Sequence, residues 1–533
     1  MSIQKVLAIG LDGYEQTLGN TMMDAGELPA LRSLKKRSAT WLLDHGWATR
    51  TGLAWEHFST GLKPEAAKRW SGVYFNSKNY SVWQEGTGLP PFVKNLDCKV
   101  VVFDPPYFNL SDVSNTLGMV NWGAHDPGVS TVSRPDRLHA EITERFGPYP
   151  AKNWIYGVTW QSVEQTQQMR TALVKAVNVR AEAAQWLLQE RLPDWDLGIV
   201  VIGELHSATE AFWHGVDPTH PLHNIPSAQP AGMGLREVYR AADRLVDRLV
   251  RLFPEVTVIT FSMGGMGQNN ADIPCMVLLP ELLHRKSFGQ SLLQAREEWN
   301  NTSDGVPILA RDEQWGKAIN ALIPQTDGTS GKKKNTFGER LFNTFSKWLC
   351  INSNDKKPLK IPVGWMPVAR YASFWPKMEA FVLPSFYDGR IRVNLAGREQ
   401  HGIVPVERYV EFLDEMESFL LQCRNMQGEP VIESFERQGG SDPLLLHPTA
   451  ADIVIVWQNS PLVIEHPQLG RIGPIPYRRT GGHTGPYGVV FLTNAAVESG
   501  SYGVRSAFDI VPTIVQLLGA SLPAGYSGQS LLN

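Results

Sequence analysis

Four places in the chain combine residue types that could hold an ion or attack an electrophile. His206 and Glu210 stand four residues apart in Glu204-Leu205-His206-Ser207-Ala208-Thr209-Glu210, so a helical turn puts both side chains on one face. An imidazole nitrogen and a carboxylate oxygen placed that way can chelate one divalent cation, and a plain hydrogen bond between them is the alternative. His483, in Thr480-Gly481-Gly482-His483-Thr484-Gly485, is flanked by glycines that let backbone approach a ligand, although ordinary loops share that composition. Asp12 follows the apolar run Val6–Leu11 and precedes Gly13. An acid there is either a turn former or a metal ligand. Thr51, in Ala48-Thr49-Arg50-Thr51-Gly52, could cap a helix. It could equally be a nucleophile at a helix N-terminus, where N–H groups and the helix dipole favour a phosphoryl or sulfuryl group. Arg50 beside it could bind the charge of such a substrate.

Positioning these side chains requires a sheet that delivers polar residues to one edge. The run Val6–Leu11 reads as a central parallel strand ending at Asp12-Gly13, and similar runs recur at 99–103, Leu197–Ile202 and 256–261, each followed by polar residues, Gly or Pro. Between them lie helical patterns such as 235–253, with Val238, Ala242, Leu245 and Leu249 on one face. Alternation of this kind predicts an α/β fold, a mostly parallel central sheet flanked by helices, with ligands at the strand C-termini. One domain is expected over residues 1–533, with Trp-, Pro- and Gly-rich stretches at 72–155 and 280–404 as cap insertions and 324–358 as a flexible loop.

Composition narrows the class. With 533 residues, 43% hydrophobic and 19% charged, the chain is long enough for one large domain with insertions and is not of disordered type. A formal net charge of −3, from 50 basic and 53 acidic residues, argues against nucleic-acid partners and an electrostatically held membrane protein. No apolar run reaches the length of a membrane span. Cys98, Cys275, Cys350 and Cys423 are far apart and form no CxxC pair, which fits reduced thiols and a cytoplasmic location. Weaker polar candidates are His125 and Asp126, the group His214, Asp217, His220 and His223, and Arg390 and Arg392. A loop hydrogen bond or a local ion pair is the simpler reading of each.

Taken in order, these pieces resemble the alkaline phosphatase superfamily, in particular its nucleotide pyrophosphatase/phosphodiesterase branch. Asp12-Gly13 after the first strand, Thr51 ahead of Thr60-Gly61, His206 and Glu210 ahead of Phe212-Trp213-His214, Gly481-Gly482-His483, and Asp509-Ile510-Val511-Pro512-Thr513 all stand where that family's motifs stand. The resemblance implies an alkaline-phosphatase-like sandwich and a small-molecule phosphate or sulfate ester as substrate. It also implies a Thr51 nucleophile and one or two divalent ions, Zn or Mn, on Asp12, His206, Glu210 and His483. Asp509 is expected to be structural. Two departures stand out. His206 and Glu210 replace the family's Asp and His, both still competent ligands. More seriously, Ser262-Met263-Gly264-Gly265-Met266 stands where the family has Ser-Asp-His-Gly-Met, and neither Met nor Gly can replace those ligands for such an ion. The expectation is therefore a hydrolase or transferase of phosphoesters, phosphodiesters or sulfoesters, with one full ion site and a half-dismantled second one. Gln268, Asn269, Asn270 or Asp272 could fold back to complete it. The rival expectation is a degenerate relative that binds an anionic ligand or a partner without turnover. A two-His-one-carboxylate oxygenase is a third possibility on the ligand types alone.

Overall fold

The computed structural model describes residues 4–533 except 87, 112, 124–130, 301–305, 325–359, 439, 441, 496 and 522–524. His125 and Asp126 lie outside the described residues, as does the expected loop 324–358 apart from Pro324. The frame is a nine-stranded sheet. Its strands are β1 (Val6–Leu11), β2 (Ala39–Asp44), β3 (Val100–Phe103), β4 (Thr116–Val120), β5 (Val132–Arg134), β6 (Leu197–Ile202), β7 (Thr257–Ser262), β10 (Gly488–Thr493) and β11 (Gly500–Ser506). A separate two-stranded ribbon pairs β8 (Gly265–Gln268) with β9 (Gly481–Gly485).

The strand order is β11-β2-β10-β7-β1-β6-β3-β4-β5. β1 pairs parallel with β6 and β7, and β3 pairs parallel with β6 and β4. Among the nine, β10 and β5 run against their neighbours. This is the expected α/β class: a mostly parallel sheet, buried on both faces. The alternation of β1 shows why. Leu7, Ile9 and Leu11 enter one apolar core, beside α2 (Val163–Trp186), α3 (Glu204–Phe212) and α4 (Ala228–Leu252). Val6 and Ala8 enter the opposite core with Trp55 and Phe58 of α1 (Ala54–Thr60). With helices on both sides, every β1 residue is buried, so its sequence is a continuous apolar run.

The expected insertions are placed differently from one another. The middle of 72–155 supplies β3, β4 and β5 to the main sheet, while 81–84 pairs with both 73–76 and 361–362 in a small separate sheet. Residues from 280–404 join a third apolar core around a four-stranded antiparallel sheet, which includes Ala380–Leu383 and Gly389–Val393. Among the described residues no helix is long and apolar enough to cross a membrane. Cys98, Cys275 and Cys423 are free thiols, and Cys350 lies outside the described residues.

Candidate active site

Asp12 leaves the C-terminal end of β1, and α3 starts two residues after the end of the adjacent β6. That adjacency brings Asp12 against His206, whose Nδ1 is 3.1 Å from Asp12 Oδ2. Gly13 makes the approach possible. Its φ is +75°, and a Cβ there would lie 2.4 Å from the His206 Cα. Gly13→Ala is therefore expected to destabilise the fold by at least about 1–3 kcal/mol and to displace the His206 ring. A urea-unfolding comparison with the parent chain checks this.

On α3, His206 and Glu210 meet as the i, i+4 spacing requires, with Nε2 3.1 Å from Glu210 Oε1. His483 reaches them from β9, its Nε2 3.1 Å from His206 Nε2. β9 sits close to α3 because Gly481 has no side chain; a Cβ there would be 2.1 Å from the Thr209 carbonyl oxygen. Ligand atoms from His206, Glu210 and His483 lie within 4.8 Å of one another, the one such group of three or more among the described residues. Asp12 is outside that group and stands on the other nitrogen of His206.

These side chains open into a cavity of about 710 Å³ that Thr51, Thr49, Met263 and Gly264 also line. Thr51 is buried. Its hydroxyl donates to the Ala48 carbonyl at 2.7 Å and accepts from the Leu53 N–H at 3.2 Å. It closes a 3₁₀ turn, Gly46–Thr51, and α1 starts only three residues later. Arg50 turns away from this cavity's lining and pairs with Glu436 at 2.5 Å.

The arginines that do line the cavity are Arg478 and Arg479. Both are bound to Asp272: Arg479 by a fork, Nε to Oδ2 at 2.7 Å and Nη2 to Oδ1 at 3.0 Å, and Arg478 through Nη2 at 2.7 Å. Arg479 Nη1 also contacts Glu210. Burial pulls Arg479 down to about 9, which leaves it charged at neutral pH. Burial pushes Asp272 up, against the opposing pull of Arg478. The sequence pattern assigns this pair of arginines no role, although two consecutive basic residues ahead of Gly481-Gly482-His483 are a signal that could have found them.

Among the described residues nothing refills the gap at Met263-Gly264. Met263 belongs to the apolar core that includes Trp55 and Phe261. Among the described residues a Cβ on Gly264 would meet only Thr49 Oγ1, at 4.0 Å. The expected fold-back does not occur, because each candidate is committed elsewhere. Gln268 donates to Tyr477, Asn269 to the Gly481 carbonyl, Asn270 to the Trp457 carbonyl, and Asp272 holds the two arginines.

The remaining candidates are local. His214 Nδ1 is 3.1 Å from Thr480 Oγ1, His220 Nδ1 accepts from the Leu222 N–H, and His223 Nδ1 is 2.7 Å from the His214 carbonyl. Asp217 accepts from Trp213 and Thr219. Burial lowers His214 to about 3 and His220 to about 4. Arg390 forks onto Asp388, and Arg392 pairs with Glu399. Asp509 pairs with Arg505 and accepts from the Gln529 N–H, a structural arrangement.

No protein-family model matches the chain, and neither does any curated protein. Among solved structures it is similar to phosphonoacetate hydrolase from Sinorhizobium meliloti, at 12% identity and a TM-score of 0.46 over 97% of this chain and 96% of that one. It is similar to murine ectonucleotide pyrophosphatase/phosphodiesterase 5 at 11% identity and a TM-score of 0.45, over 99% and 98% of the two chains. A mutant of the alkaline phosphatase PafA gives 11% identity and a TM-score of 0.48 over 100% and 99%. At this identity the site has to be argued from its own residues.

Proposed function

We propose that the chain is a metal-dependent hydrolase or transferase of phosphoesters, phosphodiesters or sulfoesters, with Thr51 as nucleophile and one ion on His206, Glu210 and His483. The observation that carries this reading is the convergence of those three ligand atoms, within 4.8 Å of one another, in the cavity that Thr51 lines. The donor set fits a borderline ion. Bonds of about 2.0–2.1 Å in tetrahedral geometry put neighbouring ligand atoms about 3.3 Å apart. The observed spacings of His206 Nε2 to Glu210 Oε1 and to His483 Nε2 are both 3.1 Å. Zn or Mn suits two imidazoles and a carboxylate.

A bound ion would supply Lewis-acid neutralisation of the charge that builds on the phosphoryl or sulfuryl oxygens. The protein's own residues do the rest. Thr51 attacks in line and forms a covalent ester, which water or another acceptor then cleaves. Asp12, on His206 Nδ1, fixes the tautomer and the ring plane that presents Nε2, the usual work of a carboxylate behind a ligating histidine.

The test is bound metal per chain by mass spectrometry, with turnover of aryl phosphodiester, phosphomonoester and sulfate substrates. About one ion per chain is expected, with its loss in His206→Ala and in His483→Ala together with turnover. Absence of metal, and no turnover even with added Zn²⁺ or Mn²⁺, would sink the proposal. A second reading, anion binding without turnover, is favoured by one contact: Arg479 places a guanidinium on Glu210, where it neutralises a ligand carboxylate. That reading expects anion-dependent stabilisation in metal-free protein.

A further inference from the structure

A run of aromatic rings leads from the candidate ion site toward solvent. It starts in the hairpin that joins Ala380–Leu383 to Gly389–Val393, whose turn carries Phe386 and Tyr387. Asp388 ties that turn down, accepting from Ser385 Oγ at 2.6 Å and from Arg390 Nε at 2.8 Å. Tyr387 packs against His483 with ring centroids 5.2 Å apart and planes at 81°. It also abuts the residue after Thr51, since a Cβ on Gly52 would lie 2.8 Å from Tyr387 Cε2. The rings continue from Tyr387 to Phe386 at 6.0 Å and from Phe386 to Trp365 at 5.9 Å. All three line the cavity, and Trp365 ends the run at 41% exposure. Exposed apolar surface that is continuous with a cavity marks a ligand-binding groove.

The run is held in place by charge that it does not itself carry. The guanidiniums of Arg478 and Arg479 each lie 5.8 Å from the Phe386 ring centre, and that of Arg479 lies 5.6 Å from the Tyr387 ring centre. Asp272 holds both arginines. The rings beneath them are thus fixed before a ligand arrives, which lowers the ordering cost of binding. Apart from histidines, the charged residues among the described lining are Asp12, Glu210, Glu313, Arg478 and Arg479. Both arginines are committed to Asp272, and Glu313 is held by Arg296 at 3.0 Å. A second phosphate group or a carboxylate would find no uncommitted cation among these residues. A nucleoside would bring base-edge and ribose polar groups to a run whose polar side-chain atoms are one phenol oxygen and one indole nitrogen. Polar groups buried without partners are costly, whereas an apolar group gains contact with each ring.

We infer that the ester taken by this site has a large, uncharged apolar part, which lies along Tyr387, Phe386 and Trp365 while its acid group sits at the ion site. This rests on the proposed ester chemistry and names its substrate class. Affinity then grows with the apolar area that the rings cover, and Trp365 sets how far out that growth extends.

Isothermal titration of the parent chain, Zn²⁺-loaded and metal-free, with n-alkylphosphonates from methyl to octyl and with adenosine monophosphate tests this. Turnover of the matching alkyl phosphates, phosphodiesters and sulfates is measured alongside. Affinity is expected to rise about two- to four-fold for each methylene added, and octylphosphonate to bind more tightly than the nucleotide. Trp365→Ala, with its thermal midpoint measured, is expected to cut the octyl-to-methyl affinity ratio roughly two- to tenfold. No measurable binding, a flat series, a preference for the nucleotide, or a series as steep in folded Trp365→Ala as in the parent chain overturns the inference. A steep series without turnover of any of the esters keeps the apolar run and sinks the ester chemistry. Turnover indifferent to chain length does the reverse.

Discussion

Thr51→Ala is expected to lower turnover of the best phosphate or sulfate ester by about 10⁴-fold or more, while the bound ion is retained. Removing a nucleophile removes the covalent path itself, and effects of that size are usual when the attacking group of a catalytic unit is lost. The ion should stay because Thr51 is not among its three proposed ligands. Folding should change little. The hydroxyl makes a hydrogen bond to the Ala48 carbonyl at 2.7 Å, worth about 0.5–1.5 kcal/mol net. Thr51→Ser keeps an attacking hydroxyl and should keep measurable activity. The decisive measurement is single-turnover kinetics with metal content on the same samples. If Thr51→Ala retains more than about a tenth of parent turnover, an effect far below nucleophile loss, the attacking group is another. Thr49, the cavity hydroxyl beside Gly264, would be next to test.

The largest expected effect on stability lies beneath the site. Arg180, on α2, is fully buried between two buried carboxylates. Its Nε is 2.9 Å from Glu204 Oε2, and its Nη2 is 2.9 Å from Glu204 Oε1 and 3.0 Å from Asp104 Oδ2. Asp104 also accepts from the Trp122 and Gly123 N–H groups at 2.7 and 2.8 Å. Arg180→Met would strand two carboxylates away from water, and breaking a buried pair by removing one partner costs about 3–5 kcal/mol. Glu204 opens α3, two residues before His206, so the loss should reach the ion site as weakened metal binding. Arg180→Lys should recover little, because one ammonium cannot reproduce the fork. Adding Glu204→Gln to Arg180→Met should recover part by removing one stranded charge. Urea unfolding of the series checks this, and an Arg180→Met chain as stable as the parent would show that the carboxylates find other compensation.

Short-range pattern makes much of this protein legible. The apolar run ending at Asp12-Gly13, the run ahead of α3 and the four-residue spacing of His206 and Glu210 are local signals, and each stands where its periodicity predicts. The α/β class follows from them. What they cannot show is which elements adjoin. Asp12 is an expected ligand, yet β1 lies beside β6, so its carboxylate stands on His206 Nδ1, outside the three-atom group. Arg50 is an expected substrate group, yet Glu436, 386 residues away in sequence, holds its guanidinium.

Residue types alone determined that His206, Glu210 and His483 are chemically able to share an ion and that Met263-Gly264 is not. Tertiary structure decided that His483 comes within reach, by pairing β9 with β8 against α3, and that Arg479 shares Glu210. It also decided that His57 and the cavity-lining His45 form a buried pair. The physical reason is one of range. A residue's spacing sets the direction of its side chain about its own helix or strand, whereas burial, charge pairing and proton sharing depend on neighbours brought together by sheet order, often hundreds of positions away.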